Sequence, residues 1–246
     1  MSGLKYLFIC AHPDDLEFYI SNIMITIAGI PKNEAKILSM TKGEYGTSLS
    51  SLNGEKLGKI RERELQKAAQ IEGITHVEFC GFIDAHLEIN PEVIQTVTKA
   101  IQGFDPDVIF TPEGFYPYYP HDDHIRTGLI VYSIVKKMEN RNHPQLFMYH
   151  SYKNTHYFPM KHWRRQSKAL LMHKSQYWLL LPMYPLRFIF GFYFGFRLSR
   201  QFRRYIMAEA VRRVEFKTDK APKLTFRQRI FRLVVAKLKS LFKPMT

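Results

Sequence analysis

Two short clusters in this 246-residue chain have the residue types of a metal site: His12-Pro13-Asp14-Asp15 and His121-Asp122-Asp123-His124. Two imidazoles and one carboxylate suffice to hold zinc with a fourth position left open for water, and His12, Asp15 and His124 supply that set. The same ligands suit non-haem Fe(II), so they do not single out zinc. A metal held there would lower the pKa of a bound water to about 7 and polarise a carbonyl. Such chemistry still needs a base. Asp14, beside a ligand in sequence, is suited to take a proton from the water and return it to a leaving amine. His121 precedes His124 by one helical turn and, if protonated, could donate to an oxyanion developing on the carbonyl oxygen. The competing reading makes these residues turn formers and helix caps, because Asp after Pro is common in turns. Two such clusters, each following a predicted strand, favour the metal site.

The elements that must position them follow from the hydrophobic pattern. Residues 4–10 are a brief apolar run ended by the Pro-Asp-Asp turn and are expected to form a buried strand. Asp14 or Asp15 would then cap a helix reaching Gly29. Further strands are predicted over 35–41, 76–81, 107–111 and 145–150, and helices over 55–72, 91–102 and 123–137. A Gly, Ser and Asn-rich loop spans 42–53, and an aromatic, proline-rich loop spans 112–120; loops of both kinds often carry ligand contacts. Alternation at this spacing implies an α/β fold, a Rossmann-like, doubly wound and mostly parallel sheet with helices on both faces. Each parallel crossover needs about a dozen residues or more, and the helices provide them. If the strand order is 3-2-1-4-5, the first and fourth strands are neighbours at the switch point, and the two clusters share one crevice.

With 46% apolar residues the chain can bury one sizeable core, and its organisation is expected to be a domain over 1–216 followed by a basic amphipathic helix within 217–246. The net charge of +14 points to an anionic partner, and Lys and Arg crowd the chain after Lys161. Residues 178–196 are strongly apolar and aromatic, but Pro182, Pro185 and Arg187 interrupt them. A re-entrant or surface-lying element is therefore predicted over a straight spanning helix. Residues 225–243 repeat apolar side chains at helical spacing among Lys and Arg. Together these stretches predict attachment to an anionic membrane surface, and apolar bulk of this kind favours lipid over nucleic acid. Cys10 and Cys80 lie in strand-like runs and make no disulfide framework, and no secretory pattern opens the chain. The expected location is the cytoplasm, on the cytoplasmic face of a membrane.

At these residues the chain resembles the LmbE-like or PIG-L-like zinc-dependent N-deacetylases. That family's Ala-His-Pro-Asp-Asp motif is matched by Ala11 to Asp15, and its His-x-Asp-His motif by His121 to His124. Residues 40–46 look like its Thr-x-Gly-Glu-x-Gly loop, Arg61 and Glu64 like its Arg-x-x-Glu helix, and Asp84 like an acidic loop residue. His173-Lys174-Ser175-Gln176 and Ala208-Glu209-Ala210 resemble later landmarks, so the resemblance covers residues 4–214. It implies His12, Asp15 and His124 as zinc ligands, Asp14 as general base and His121 as the electrophilic or acid residue. It further implies Arg61 and Asp84 for holding the sugar, and Tyr119 as a mobile donor near the oxyanion. The plainer reading of Arg61 and Glu64 is a surface ion pair at i, i+3. One departure is that Leu16 displaces the acid after the double Asp to Glu17, and another is that Tyr19, Ser21 and Asn22 stand where the family often has glycines. The implied reaction is removal of the acetyl group from an N-acetylglucosamine-type sugar, lipid-linked or nucleotide-linked. The alternatives are a zinc amidase for another amide and a non-catalytic basic protein of the membrane surface.

Overall fold

The structure, a computed structural model, describes residues 3–47, 53–138, 143–202 and 206–216, with no side chains described at 197–202. The predicted helix over 225–243 lies outside the described residues. In chain order the elements are β1 (Lys5–Cys10), α1 (Asp15–Tyr19), α2 (Ser21–Ala28), β2 (Glu34–Thr41), α3 (Glu55–Glu72), β3 (His76–Phe82), α4 (Pro91–Phe104), β4 (Val108–Pro112), α5 (Asp122–Lys137) and β5 (Gln145–Tyr149). They are followed by β6 (His156–Pro159), α6 (Trp163–Leu170), α7 (Tyr177–Phe202) and β7 (Ala208–Arg213).

One seven-stranded sheet has the order β3-β2-β1-β4-β5-β7-β6. Its first five strands are parallel, in the order expected from the sequence, and β7 and β6 add antiparallel pairing at one edge. Strand β1 is the middle one of the five parallel strands, and its side chains alternate between two cores as a period-two strand must. Leu7 and Ile9 pack with Val97 and Ile101 of α4 and Val131 and Val135 of α5. Phe8 and Cys10 face the other way, against Met24 of α2 and Leu65 and Ala69 of α3. Each such buried aliphatic or aromatic side chain contributes roughly 1.5–3 kcal/mol relative to exposure. A buried pair locks β7 to the end of β4: Arg212 Nε and Nη2 donate to Glu113 Oε2 and Oε1 at 2.7 and 2.9 Å.

Two expectations are corrected. The single helix from Asp14 or Asp15 to Gly29 is broken at Ile20, whose backbone (φ −139°) leaves the helical region. The break exposes the first amides of α2, and the buried Glu209 carboxylate accepts from the Asn22 and Ile23 N–H groups at 2.9 Å each. A negative group at a helix N-terminus satisfies orphan donors and complements the dipole. The second correction is confined to continuity: residues 178–196 lie within one helix, α7, with Pro182 and Pro185 inside it, and the surface-lying reading is untouched. Both prolines are on its exposed side, where a carbonyl deprived of its helical N–H can face outward.

Candidate active site

Both clusters open from the carboxyl ends of neighbouring strands, β1 and β4, at the switch point of the sheet. Asp15 begins α1, and its Oδ2 accepts from the Ala11 and His12 N–H groups at 3.1 and 2.9 Å. That bend back onto its own turn aims Oδ1 at His124 Nε2, 3.1 Å away. His12 Nδ1 lies 3.1 Å from the same His124 nitrogen and 3.8 Å from Asp15 Oδ2. Ligand atoms around a tetrahedral ion, with bonds of about 2.0–2.1 Å, lie about 3.3 Å apart. His124 Nε2 thus stands 3.1 Å from both His12 Nδ1 and Asp15 Oδ1, separations that suit ligands of one small ion, while the 3.8 Å separation from His12 is to the other Asp15 oxygen. Ring nitrogens of His12, His121 and His124 also come within 4.8 Å of one another, so His121 borders the same point.

The other side of His12 is fixed by two carboxylates. Its Nε2 is 2.9 Å from Asp84 Oδ1 and 3.3 Å from Asp123 Oδ2. Each carboxylate is itself tethered: Asp84 Oδ2 accepts from Tyr45 N–H at 3.0 Å, and Asp123 Oδ2 from Ala85 N–H at 2.8 Å. A proton on Nε2 would leave Nδ1 free to bind an ion, and carboxylates behind an imidazole raise its basicity as a ligand. Burial alone would lower the His12 pKa, but Asp123 and Asp84 raise it to about 10. Burial works against ionised Asp15 as well, yet His124 beside it holds the carboxyl below its usual range. Asp14, Asp15, Asp84 and Asp123 surround this point, with the Arg61 guanidinium the fixed cation among the described residues there, and a carboxylate excess of this kind suits a divalent ion.

Asp14 is set apart from the ligands. Its backbone is left-handed (φ 117°), a conformation that costs a non-glycine residue on the order of 1–3 kcal/mol and is kept only where the surroundings enforce it. Its side chain makes no helix-capping bond. Instead Arg61 Nη2 donates to Asp14 Oδ1 at 3.1 Å and to the Pro13 carbonyl at 2.7 Å, while Nη1 donates to the Gly43 carbonyl at 3.0 Å. The guanidinium lies over Gly43 and Gly46, where an added Cβ would stand 2.4 Å from Cζ and 2.2 Å from Nη1 respectively. Burial raises the Asp14 carboxyl above its ordinary value against the pull of Arg61. These observations oppose the turn-and-cap reading of the first cluster.

All eight residues singled out in the sequence line one cavity of about 260 Å³: His12, Asp14, Asp15, Arg61, Asp84, Tyr119, His121 and His124. Arg61 and Asp84, implied to hold the sugar, are also bonded to Asp14 and His12. The surface ion pair between Arg61 and Glu64 is overturned, because both are buried and Glu64 accepts from the Ser175 N–H and hydroxyl at 2.8 and 2.6 Å. Burial, then His124 and His12, lower the His121 pKa to about 3, which favours its neutral imidazole over the protonated form. Tyr119 is half-buried, with its ring 5.6 Å from that of His124 and 6.2 Å from that of His121. Sequence reasoning gave no role to Asp123, although it stands within a recognised cluster at the spacing that lets His124 and Asp123 face different sides of His12. It also missed His150, buried with its ring 5.4 Å from His124, and the wall that Trp178, Leu179 and Met183 of α7 contribute to the cavity.

The family described as PIG-L, GlcNAc-PI de-N-acetylase, matches residues 7–135, a span that contains every one of the eight residues. A diacetylchitobiose deacetylase of Thermococcus kodakarensis is 28% identical over 128 residues, covering 51% of this chain and 47% of the relative. A probable N-acetyl-alpha-D-glucosaminyl L-malate deacetylase of Bacillus anthracis is 27% identical over 149 residues, covering 57% of this chain and 63% of the relative. The chain thus spans between about half and two thirds of the length of these relatives. Among solved structures, N,N'-diacetylchitobiose deacetylase from Pyrococcus horikoshii superposes with a TM-score of 0.79 at 22% identity, covering 90% of this chain and 87% of that one. At that identity the likeness shows a shared fold.

Proposed function

Because the chain belongs to the PIG-L family of GlcNAc-PI de-N-acetylases, we propose that it hydrolyses the acetamide of an N-acetylglucosamine-type sugar conjugate, releasing acetate and the free amine. The observation that carries this reading is the convergence of His12, Asp15 and His124 at one end of a cavity, with Asp14 beside them and outside the ligand set. A zinc ion bound by the three residues would supply an acidified water and polarise the acetyl carbonyl, and Fe(II) could serve in its place.

The chain's own groups do the rest. Asp14 accepts a proton from the attacking water as its oxygen bonds to the acetyl carbon, then delivers it to the amide nitrogen as the C–N bond breaks. Arg61 is a positioning residue that holds the Asp14 carboxylate in its strained turn while it bounds the sugar pocket. His121, as a neutral imidazole, donates N–H to the carbonyl oxygen as negative charge grows on it, with Tyr119 as a second donor at the rim. Asp84 and Asp123 orient His12. A cavity of about 260 Å³ suits one amino-sugar unit, with the remainder of the conjugate outside. Its outer wall is Phe18, Trp178, Leu179 and Met183, which favours a lipid-linked sugar over a nucleotide-linked one.

The test is amine release from free, nucleotide-linked and lipid-linked N-acetylglucosamine compounds by the zinc-loaded protein. Turnover of at least one, with preference for the lipid-linked compound, is expected. Release from none of them, with zinc bound, would remove the deacetylase reading.

A further inference from the structure

Among the described side chains, the exposed residues of α7 fall on one stripe, and all of them are apolar. In the first half of the helix these are Trp178, Leu181, Pro182 and Pro185; in the second they are Ile189, Phe192, Tyr193 and Phe196. The spacing i, i+3, i+4, i+7, i+11, i+14, i+15, i+18 is that of a single helical face, about 27 Å long at about 1.5 Å per residue. On a helix of a water-exposed surface this face would carry charge. Here the four residues of the second half are between 51% and 60% exposed, and the charged Arg187 points inward. The helix has the length and composition to cross a membrane. Its other face, however, is committed to the protein. Gly195 lies so close to the backbone of Ile206 that a Cβ would come within 2.2 Å of the Ile206 carbonyl oxygen, and Arg187 donates to Ser167 of α6. The helix is held lengthwise on the domain, with the stripe facing away.

What surrounds the stripe identifies its occupant. The neighbouring α6 and its flanks expose Lys161, Arg164, Arg165, Lys168 and Lys174, and Trp163 of α6 meets Phe188 of α7 edge to face. No Asp or Glu occurs anywhere between Glu139 and Glu209. Apolar bulk beside cations, with no carboxylate in the same segment of chain, is the composition of a helix that lies in the interface of an anionic bilayer. A second copy of the chain would instead bring two basic α6 edges together. The stripe is also continuous with the catalytic cavity, because Trp178 belongs to both and Leu179 and Met183 follow it along the wall.

We infer that the exposed stripe of α7, with the basic α6 beside it, is a surface that beds into an anionic bilayer and brings the rim of the cavity to the headgroup layer. This rests on the deacetylase reading for its consequence, which is that the sugar substrate is carried on a lipid whose chains stay in the bilayer along α7 while the acetamide reaches His12 and His124. It makes the chain monotopic, lying on one leaflet.

The test is co-sedimentation of the full chain with phosphatidylcholine vesicles, with and without phosphatidylglycerol, for the parent and for the double variants Ile189→Glu/Phe192→Glu and Arg164→Glu/Lys168→Glu. None of these four residues lines the cavity. The parent is expected to prefer the anionic vesicles. The stripe variant should bind both vesicle types at least about tenfold more weakly, and the basic variant should lose the preference for phosphatidylglycerol. Turnover of a water-soluble N-acetylglucosamine compound should stay at the parent level in both variants, while turnover of a vesicle-borne one falls. Undiminished binding by the stripe variant overturns the inference, as does a parent that ignores both vesicle types. A lipid-free dimer that the stripe variant dissociates would assign the stripe to a second copy. If vesicle binding follows expectation while no sugar is turned over, the surface stands and the deacetylase reading fails.

Discussion

Replacing Gly46 with alanine should disable the site through Arg61, without altering His12, Asp15, His124 or Asp14 themselves. Its Cβ would lie 2.2 Å from Arg61 Nη1, so the guanidinium must retreat by about 1.2 Å to regain an ordinary contact of 3.4 Å. Arg61 is 3% exposed and is pinned by bonds of 2.7–3.1 Å to Pro13, Asp14 and Gly43. A retreat of that size breaks the bond to Asp14 and releases its left-handed turn, so the general base moves by a comparable distance. Misplacement of a catalytic group by about 1 Å costs on the order of a hundredfold in rate, and that is the expected fall in kcat. The three atoms nearest the added Cβ belong to Arg61 and Gly43 and none to His12, Asp15 or His124, so zinc content should match the parent's. The assay is steady-state amine release alongside metal content per chain. Activity within about threefold of the parent would refute the claim that Arg61 works by holding Asp14, and a loss of activity matched by loss of zinc would move the effect to the metal.

Other substitutions separate the remaining parts of the account. Asp14→Asn keeps the shape but cannot take a proton, so amine release should fall by roughly a hundredfold to ten-thousandfold with zinc retained; proportional loss of zinc would make Asp14 a ligand. Arg212→Met leaves the fully buried Glu113 carboxylate without its partner and should lower unfolding free energy by roughly 3–5 kcal/mol in denaturant melts; a change below about 1 kcal/mol would mean that the pair does not lock β7 to β4. Gly103→Ala in α4 meets nothing within 4 Å of the new Cβ, so thermal unfolding should show a gain of about 0.5–1 kcal/mol with amine release unchanged.

The parallel half of the sheet was legible because each of its strands is an apolar run followed by a helix long enough for a crossover. The antiparallel strands β6 and β7 escaped notice because neither has that signature. His156–Pro159 is four residues of half-buried character, and Ala208–Arg213 carries Glu209, Arg212 and Arg213. Two of those charges are spent inside, Glu209 on the amides of α2 and Arg212 on Glu113. The family landmark around Glu209 therefore marks a helix cap. In the site, residue types and their places after β1 and β4 were enough to bring His12, Asp15 and His124 together. They could not indicate which nitrogen of His12 would be left free for an ion, since that depends on Asp84 and Asp123 arriving on its far side from two other segments. Nor could they separate holding the sugar from holding Asp14 as the work of Arg61, because the deciding contact runs across 47 residues of sequence. The prolines of α7 misled because a local rule about helix interiors does not see which side of the helix is exposed.

The most direct test is acetate release from an N-acetylglucosamine conjugate as zinc is titrated into metal-free protein, with His124→Ala run in parallel. The account predicts no release without the ion, a rise that saturates at one zinc per chain, and no activation of His124→Ala at the same concentrations. Release by the metal-free protein, or full activation of His124→Ala by one equivalent, would contradict it.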